Sequence, residues 1–220
     1  MKKLVIFDLD GTILNTIADL GTSTNFALHQ LGYPTHDIPS YRFRVGNGIN
    51  KLFERALPDG EKTEENVQRV RKIFIEHYNV HCADATSPYP GIPQLLHTIV
   101  QKNLAIAIAS NKYQEATTKL IRHFYNDIPF IAVFGQRDGI ERKPNPSVVY
   151  EIMKVADVEA KDVLYVGDSG VDMQTALNAG VTACGVTWGF RPKTELEAFS
   201  PQYIVDEPSS ILSLLDTENA

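Results

Sequence analysis

The chain has 220 residues, of which 43% are hydrophobic and 22% are charged, proportions ordinary for a globular protein. Its 21 Lys and Arg against 27 Asp and Glu give a formal net charge of −6. This charge argues against nucleic acid or an anionic membrane as the main partner, although a local positive pocket could still hold a phosphate. Two cysteines are too few for a disulfide scaffold, and no apolar run approaches the ~20 residues of a membrane span. We therefore expect a cytoplasmic protein.

The stretch "VIFDLDGTIL", which begins at Val5, places two carboxylates where an apolar strand ends. Charge is costly to bury, so Asp8 is expected to face a cleft at the end of the strand. Asp10 and the following Gly11 are typical of a turn. An ordinary exit from strand to turn would explain the same residues, so the rest of the chain must decide between a site and a turn.

Residues 15–85 have helical periodicity and no clear strand, as in "DLGTSTNFALHQLG", "NKLFERAL" and "EENVQRVRKIFIEHYNV". The stretch "TSPYPGIPQLL" from Thr86, with three prolines and a glycine, is typical of a linker that returns to a second structural block. We therefore predict a core formed by residues 1–14 and 86–220, with residues 15–85 inserted as a helical cap.

The second half of the chain alternates between apolar strands and amphipathic helices. The predicted strands are "LAIAIAS", "FIAVFG", "DVLYVGD", "TACGVTW" and "QYIV", and "TENA" is expected to be a frayed end. Continuous apolar strands separated by helices indicate a parallel sheet that is covered on both faces. The predicted fold class is α/β, a doubly wound, mainly parallel, Rossmann-like sheet with an inserted α-helical cap domain.

Polar side chains follow several of these strands, and ligands of an open α/β sheet bind at the carboxyl ends of its strands. The residues expected along this edge are Asp8, Asp10, Ser110, Asn111, Lys143, Asp168 and Asp172. Several carboxylates together would repel one another unless a cation such as Mg²⁺ joined them, and Mg²⁺ prefers carboxylates, water and a substrate phosphate. Taken singly, Lys143 could be a solvated loop residue, Asp168 a helix cap and Asp172 a partner of a helix dipole.

Four short motifs in this order resemble those of the haloacid dehalogenase superfamily. They are "DLDGT" at Asp8, "SNK" at Ser110, Lys143-Pro144 and "GDSGVDM" at Gly167. The helical insert resembles the cap of the first subclass, and "VGNGINKLFERAL" and "GDSGVDMQTALNAG" look most like the phosphoglycolate phosphatases. The resemblance implies a Mg²⁺-dependent phosphatase of small phosphorylated metabolites that forms an aspartyl-phosphate, with phosphoglycolate as the leading substrate.

The same resemblance implies roles for the residues of the motifs. Asp8 would be the nucleophile, Asp10 the general acid/base, and Lys143 the group that stabilises the phosphoryl charge. The Mg²⁺ site would comprise Asp8, the backbone carbonyl of Asp10, Asp168 and Asp172. Thr12, Ser110 and the backbone of Asn111 would position the phosphoryl group. Asn15 stands where many relatives have Asp, which bears on the hinge or cap rather than on the chemistry.

The cap stretch "RFRVGNGINK" is a candidate for substrate binding. Gly46 and Asn47 can bring backbone N–H groups close to an anion at the start of a helix, and Arg42, Arg44 and Lys51 could bind a substrate carboxylate. A turn between helices with solvated arginines would explain the stretch equally well.

Three other functions remain open. A phosphomutase of the β-phosphoglucomutase type would pass the phosphoryl group to a sugar, and a pyrophosphatase or nucleotide phosphatase would differ only in substrate. A non-catalytic binding protein on this fold is disfavoured because Asp8, Asp10, Lys143 and Asp168 are all present. The expected partner is a small phosphorylated metabolite, bound by a monomer or a homodimer.

Overall fold

The computed structural model describes residues 1–216, so the frayed end expected at residues 217–220 lies outside the described part. The strands are β1 (Leu4–Phe7), β2 (Leu14–Asn15), β3 (Ser87–Pro88), β4 (Ala105–Tyr113), β5 (Ala132–Gln136), β6 (Val163–Gly167), β7 (Thr182–Val186) and β8 (Tyr203–Val205). The α-helices are α1 (Ile17–Gln30), α2 (Ile49–Ala56), α3 (Glu64–His81), α4 (Ile92–Gln101), α5 (Gln114–Phe124), α6 (Ser147–Ala156), α7 (Gly170–Ala179), α8 (Lys193–Glu197) and α9 (Ile211–Leu215). Within residues 1–216, every helix is too short or too polar to cross a bilayer.

Six strands form one sheet in the order β5-β4-β1-β6-β7-β8, and every neighbouring pair is parallel. β1 lies between β4 and β6, and all four of its residues are buried. A strand that is covered on both faces must be apolar along its whole length, which explains the uninterrupted run "LVIF". The carboxyl ends of β4, β1 and β6 therefore lie side by side.

Helices cover both faces of this sheet. Val5 and Phe7 of β1 face one hydrophobic cluster, to which α4, α5 and α9 contribute. Leu4 and Ile6 face the opposite cluster, to which α6, α7 and α8 contribute. This alternation confirms the predicted α/β class with a doubly wound parallel sheet.

The first three helices lie between β1 and β4 in the chain and pack on one another. The rings of Phe53, on α2, and Phe74, on α3, have centroids 5.0 Å apart, and Phe74 stacks on Tyr78 at the same distance. The periodicity of residues 15–85 thus gave the correct element type. We propose that these residues form a cap domain over the sheet, with the boundaries stated above.

The two chain crossings between the sheet and the proposed cap lie side by side. Leu14 and Asn15 of β2 pair with Pro88 and Ser87 of β3 in an antiparallel ladder. The buried carboxylate of Asp19, on α1, accepts hydrogen bonds from the backbone N–H groups of Ala85 (3.0 Å) and Thr86 (2.7 Å). One side chain of the first crossing therefore fixes the backbone of the second.

We expect Asp19→Ala to lower the free energy of unfolding by about 2 kcal/mol, because it removes a charged acceptor from two backbone donors. This corresponds to a fall in Tm of about 4–8 °C for a chain of this size, measured by circular dichroism. Asp84→Ala is the matched control, because that carboxylate is exposed and its side-chain partner is His81. Equal Tm values for the two variants would contradict the role of Asp19.

Candidate active site

Three carboxylates meet at the carboxyl ends of β1 and β6. Oxygens of Asp8, Asp168 and Asp172 lie within 4.8 Å of one another, and all three residues are buried. Asp8 follows β1, Asp168 follows β6, and Asp172 lies in the first turn of α7. Neighbouring parallel strands bring residues from distant parts of the sequence to one edge, as expected for an open α/β sheet.

The side chain of Lys143 reaches into this cluster from the loop after β5. Its Nζ donates hydrogen bonds to Asp8 Oδ1 (2.8 Å), Asp172 Oδ1 (2.7 Å) and the Ala109 carbonyl (2.9 Å). The hydroxyl of Tyr165, on β6, lies 3.1 Å from the same Nζ. The ammonium is thus held in one position by contacts from β4, β6, α7 and the residue that follows β1.

The charges in this cluster do not balance, and the pKa values reflect it. Burial raises the pKa of Asp8 to about 7; Lys143 opposes this shift and Asp172 adds to it. Burial, with the charges of Asp172 and Asp8, also raises the pKa of Asp168 well above its ordinary value. Burial acts to lower the pKa of Lys143, but the carboxylates of Asp172 and Asp8 outweigh it and raise that pKa. Three buried carboxylate oxygens that repel one another are a donor set that fits a hard divalent cation.

The backbone fits closely around Asp168. Its Oδ2 accepts a hydrogen bond from the Phe190 N–H (2.7 Å), and the hydroxyl of Thr12 lies 3.5 Å from Oδ1. A Cβ at Gly11 or Gly189 would come within 2.3 Å of the Asp168 side chain. These two glycines therefore leave room for the carboxylate, and Gly11 also has a φ of +89°, which disfavours other residues.

Asp172 is fixed by the start of α7. The hydroxyl of Ser169 accepts from the Asp172 N–H, and Asp172 Oδ2 accepts from the Ser169 N–H (3.1 Å) and hydroxyl (2.6 Å). These bonds form a reciprocal cap at the start of α7. The other oxygen of Asp172 remains directed at Lys143.

Asp10 lies beside the cluster rather than in it. Its Oδ1 accepts a hydrogen bond from the Thr16 hydroxyl (2.7 Å), and both oxygens lie near the ammonium of Lys112, at 3.1 and 3.3 Å. The Asp10 side chain is absent from the group of clustered carboxylates found among residues 1–216. A metal role for Asp10 would therefore have to use its backbone carbonyl.

Asn111 and Ser110 border the same cavity as Asp8. The Asn111 amide accepts from the Lys143 N–H (2.9 Å) and donates to the Lys143 carbonyl (3.1 Å) and to the Gly46 carbonyl (3.2 Å). The sequence suggested only a backbone role for Asn111, whereas its side chain fixes the backbone of Lys143. The hydroxyl of Ser110 accepts from the Lys112 N–H at 3.2 Å.

Arg44 and Asn47 do not reach this cavity in the described structure. Arg44 turns back to the Ser40 carbonyl and hydroxyl and to His36, and stacks on Tyr41. The side-chain oxygen of Asn47 accepts a hydrogen bond from Arg55 (2.7 Å) instead. Both side chains thus bind neighbouring residues of the proposed cap, although the buried Arg44 Nε has no hydrogen-bond partner among residues 1–216.

The remaining substrate-binding candidates of the proposed cap include one residue that borders the cavity and others whose side chains bind elsewhere. Gly46 borders the cavity, whereas Lys51 is paired with Glu54. Arg42 donates to the Phe190 carbonyl (2.9 Å). The cavity is also lined by four apolar residues of the proposed cap, Leu20, Val45, Ile49 and Leu52.

Three residues of the site carried little or no signal in the sequence. Tyr165 lies in the apolar run "VLYVGD", where a tyrosine is indistinguishable from a packing residue. Gly189 follows a strand, and its need for space next to Asp168 depends on a contact that is distant in sequence. Arg191 borders the cavity and donates a hydrogen bond to the Val45 carbonyl (2.7 Å), a contact with a residue distant in sequence.

The comparisons with known proteins agree over nearly the whole chain. A family model described as haloacid dehalogenase-like hydrolase matches residues 5–186. A Vibrio parahaemolyticus protein named phosphoglycolate phosphatase is 30% identical over 218 residues, which cover 97% of this chain and 96% of that one. An Aquifex aeolicus protein of the same name is 28% identical and is covered to 97%, as is this chain.

Solved structures give the same result. A chain from Lactobacillus delbrueckii subsp. bulgaricus superposes with a TM-score of 0.92 at 32% identity, covering 99% of this chain and 100% of that one. A predicted phosphoglycolate phosphatase from Haemophilus somnus has a TM-score of 0.89 at 28% identity, with 97% of each chain covered.

We expect Asp8→Asn to stabilise the metal-free protein in a pH-dependent way. The folded-state pKa of Asp8 is raised to about 7, against an unfolded value of about 3.9. Between these values the folded state binds more protons than the unfolded chain, so the stability that Asp8 contributes falls as the pH rises. Asn does not titrate, so the variant avoids this loss of stability. At pH 8 its free energy of unfolding should exceed that of the wild type by about 2 kcal/mol, which raises Tm by about 4–8 °C. At pH 4 the two proteins should differ little in stability.

Thermal unfolding in chelator across this pH range measures the difference. Asp138→Asn is the control, because Asp138 is exposed and lies outside the cluster. A gain that is equal at pH 4 and pH 8 would contradict the repulsion described here.

Proposed function

Because this chain is a hydrolase that belongs to the haloacid dehalogenase-like family, we propose that it is a Mg²⁺-dependent phosphatase of small phosphorylated metabolites. The observation that carries the proposal is the contact between Lys143 and Asp8, made inside a cavity that also contains Asp10 and Ser110. The relatives named phosphoglycolate phosphatase make phosphoglycolate the leading substrate.

In the proposed first step, Asp8 attacks phosphorus and forms an aspartyl-phosphate. Lys143 orients the attacking carboxylate and stabilises the negative charge on the phosphoryl oxygens. The Ser110 hydroxyl and the backbone N–H of Asn111 hold the phosphoryl group. Asp10 protonates the leaving oxygen, and in the second step takes a proton from the water that attacks the aspartyl-phosphate.

We propose that Asp8, Asp168 and Asp172 hold the Mg²⁺ ion, with the backbone carbonyl of Asp10. When bound, the ion neutralises the carboxylates and stabilises charge on the phosphoryl group. The three side chains are already close together and buried, with raised pKa values at Asp8 and Asp168.

The proposed cap bears on the choice of substrate. Its contribution to the cavity includes the apolar side chains of Leu20, Val45, Ile49 and Leu52. Such a wall offers a hexose few hydrogen-bond partners, which favours a small leaving group over a sugar and therefore hydrolysis over a phosphomutase reaction. The guanidinium of Arg191 is the basic group that this cavity offers outside the core motifs.

We expect Mg²⁺-dependent release of phosphate, with 2-phosphoglycolate the best substrate in a panel of phosphorylated metabolites. Asp8→Asn should lower kcat by at least about 10³-fold, because it removes the nucleophile. Trapping the phosphoenzyme and locating the modified peptide by mass spectrometry tests whether Asp8 carries the phosphoryl group.

The panel also separates the alternatives. Preferred release from pyrophosphate or a nucleotide would keep the mechanism and change the substrate. Isomerisation of a hexose phosphate without net release would favour the mutase. No turnover of any ester by folded, Mg²⁺-bound protein would overturn the proposal.

Measurements of Mg²⁺ binding should distinguish the role of the clustered carboxylates from the role of Asp10. Saturation at about 100 times Kd should stabilise the wild type by about 2.7 kcal/mol, which thermal unfolding detects. Asp168→Asn should lose this stabilisation because it removes a proposed ligand. Asp10→Asn should keep it while losing activity, because only its backbone is a proposed ligand. Equal loss of Mg²⁺ binding in both variants would contradict this assignment.

A further inference from the structure

Lys112 is a buried cation next to the cluster, and no role has been assigned to its side chain. It lies at the end of β4, and its side chain is 2% exposed. Its Nζ lies 3.1 Å from Asp10 Oδ1 and 3.3 Å from Oδ2. The same ammonium lies 4.6 Å from the centre of the Tyr78 ring.

These contacts determine the direction of the Asp10 carboxylate. The Thr16 hydroxyl bonds only Oδ1, at 2.7 Å, and a single hydrogen bond leaves a carboxylate free to rotate about its terminal torsion. Lys112 contacts both oxygens and removes that freedom. General acid catalysis requires the donor to lie within hydrogen-bond reach of the leaving oxygen, so the orientation of this carboxylate matters for the reaction.

Tyr78 links this arrangement to the proposed cap. It lies on α3, is fully buried and stacks on Phe74. Its hydroxyl has no hydrogen-bond partner within residues 1–216, so ring packing rather than hydrogen bonding positions it. The face of the ring attracts the ammonium of Lys112. The cation therefore lies between a carboxylate of the core and an aromatic ring of the cap.

We propose that Lys112 is a positioning residue that aligns Asp10 for proton transfer, and that Tyr78 makes this alignment depend on the cap. The inference rests on the proposed function, in which Asp10 protonates the leaving oxygen. Movement of α3 away from the sheet removes the ring from Lys112 and admits water around the ammonium. Asp10 is then aligned only while the cap covers the substrate.

Esters with different leaving groups test this proposal. An alkyl oxygen leaves poorly without a proton, whereas p-nitrophenolate leaves readily without one. Lys112→Met should lower kcat/KM for the best alkyl ester of the panel, expected to be 2-phosphoglycolate, by about 10²-fold, within the range of general acid catalysis. The loss for p-nitrophenyl phosphate should be at least about tenfold smaller, since only the acid contribution is impaired.

Matched variants show whether the effect passes through Asp10 and Tyr78. In an Asp10→Asn background, Lys112→Met should cause little further loss, because residues that act as a unit are not additive. Tyr78→Leu should give the alkyl-selective pattern more strongly than Tyr78→Phe, which keeps the ring. Lys119→Met is the control: Lys119 is exposed on α5 and bonds the Asn79 carbonyl of the same cap helix, without contacting Asp10.

Equal losses for the two esters, or full additivity with Asp10→Asn, would overturn the proposal. If Lys112→Met fails to fold, Tyr78→Leu and its comparison with Tyr78→Phe decide the same question from the cap side. Wild-type protein that hydrolyses neither ester would instead refute the proposed function. The wild-type rates thus test the proposed function, and the ratio of the losses for the two esters in the variants tests the positioning role of Lys112.

Discussion

Lys143 places one positive charge among three buried carboxylates, and much of the surrounding structure serves to hold that arrangement together. A charged group that leaves water must recover its lost solvation from neighbours, which here are Asp8, Asp172, the Ala109 carbonyl and the Tyr165 hydroxyl. Asn111 binds the Lys143 backbone on both sides and so fixes where the side chain starts. Such a cluster disfavours folding, and a stable parallel sheet beneath it makes it tolerable.

The same imbalance connects stability with function. Burial and the charge of Asp172 raise the pKa of Asp8 to about 7, whereas the nucleophile role proposed for Asp8 requires the deprotonated carboxylate. A cation bound at the proposed site would lower that pKa by balancing the charge, and would thereby favour the deprotonated form of the proposed nucleophile. Close backbone contacts at Gly11 and Gly189 hold Asp168 at the position where it can contribute to that balance.

The sequence was sufficient for the fold and for the convergence of Asp8, Lys143, Asp168 and Asp172, because apolar strands reveal a parallel sheet and polar residues at their ends must share one edge. It was insufficient where a role depends on the rotation of a side chain. Arg44 is indistinguishable in sequence from a substrate ligand, yet Ser40 and His36 lie close enough to bind it. The contacts of Tyr165 with Lys143 and of Lys112 with Asp10 could not be predicted, because the partners are distant in sequence.

The paired crossings of the chain limit how the proposed cap can move. Two chain segments connect the sheet to the proposed cap, and they lie side by side. The β2–β3 ladder and the hydrogen bonds of Asp19 link them, so we expect them to form a two-stranded hinge. Such a joint permits swinging about one line but resists translation and twisting. Arg42 donates a hydrogen bond to the Phe190 carbonyl, and Arg191 donates one to the Val45 carbonyl. These bonds are not covalent, so they can break when the proposed cap opens and form again when it closes. Each closure would therefore return α3 to the same position above the sheet. The hinge, rather than the bound substrate, would determine where the residues of α3 lie relative to the site.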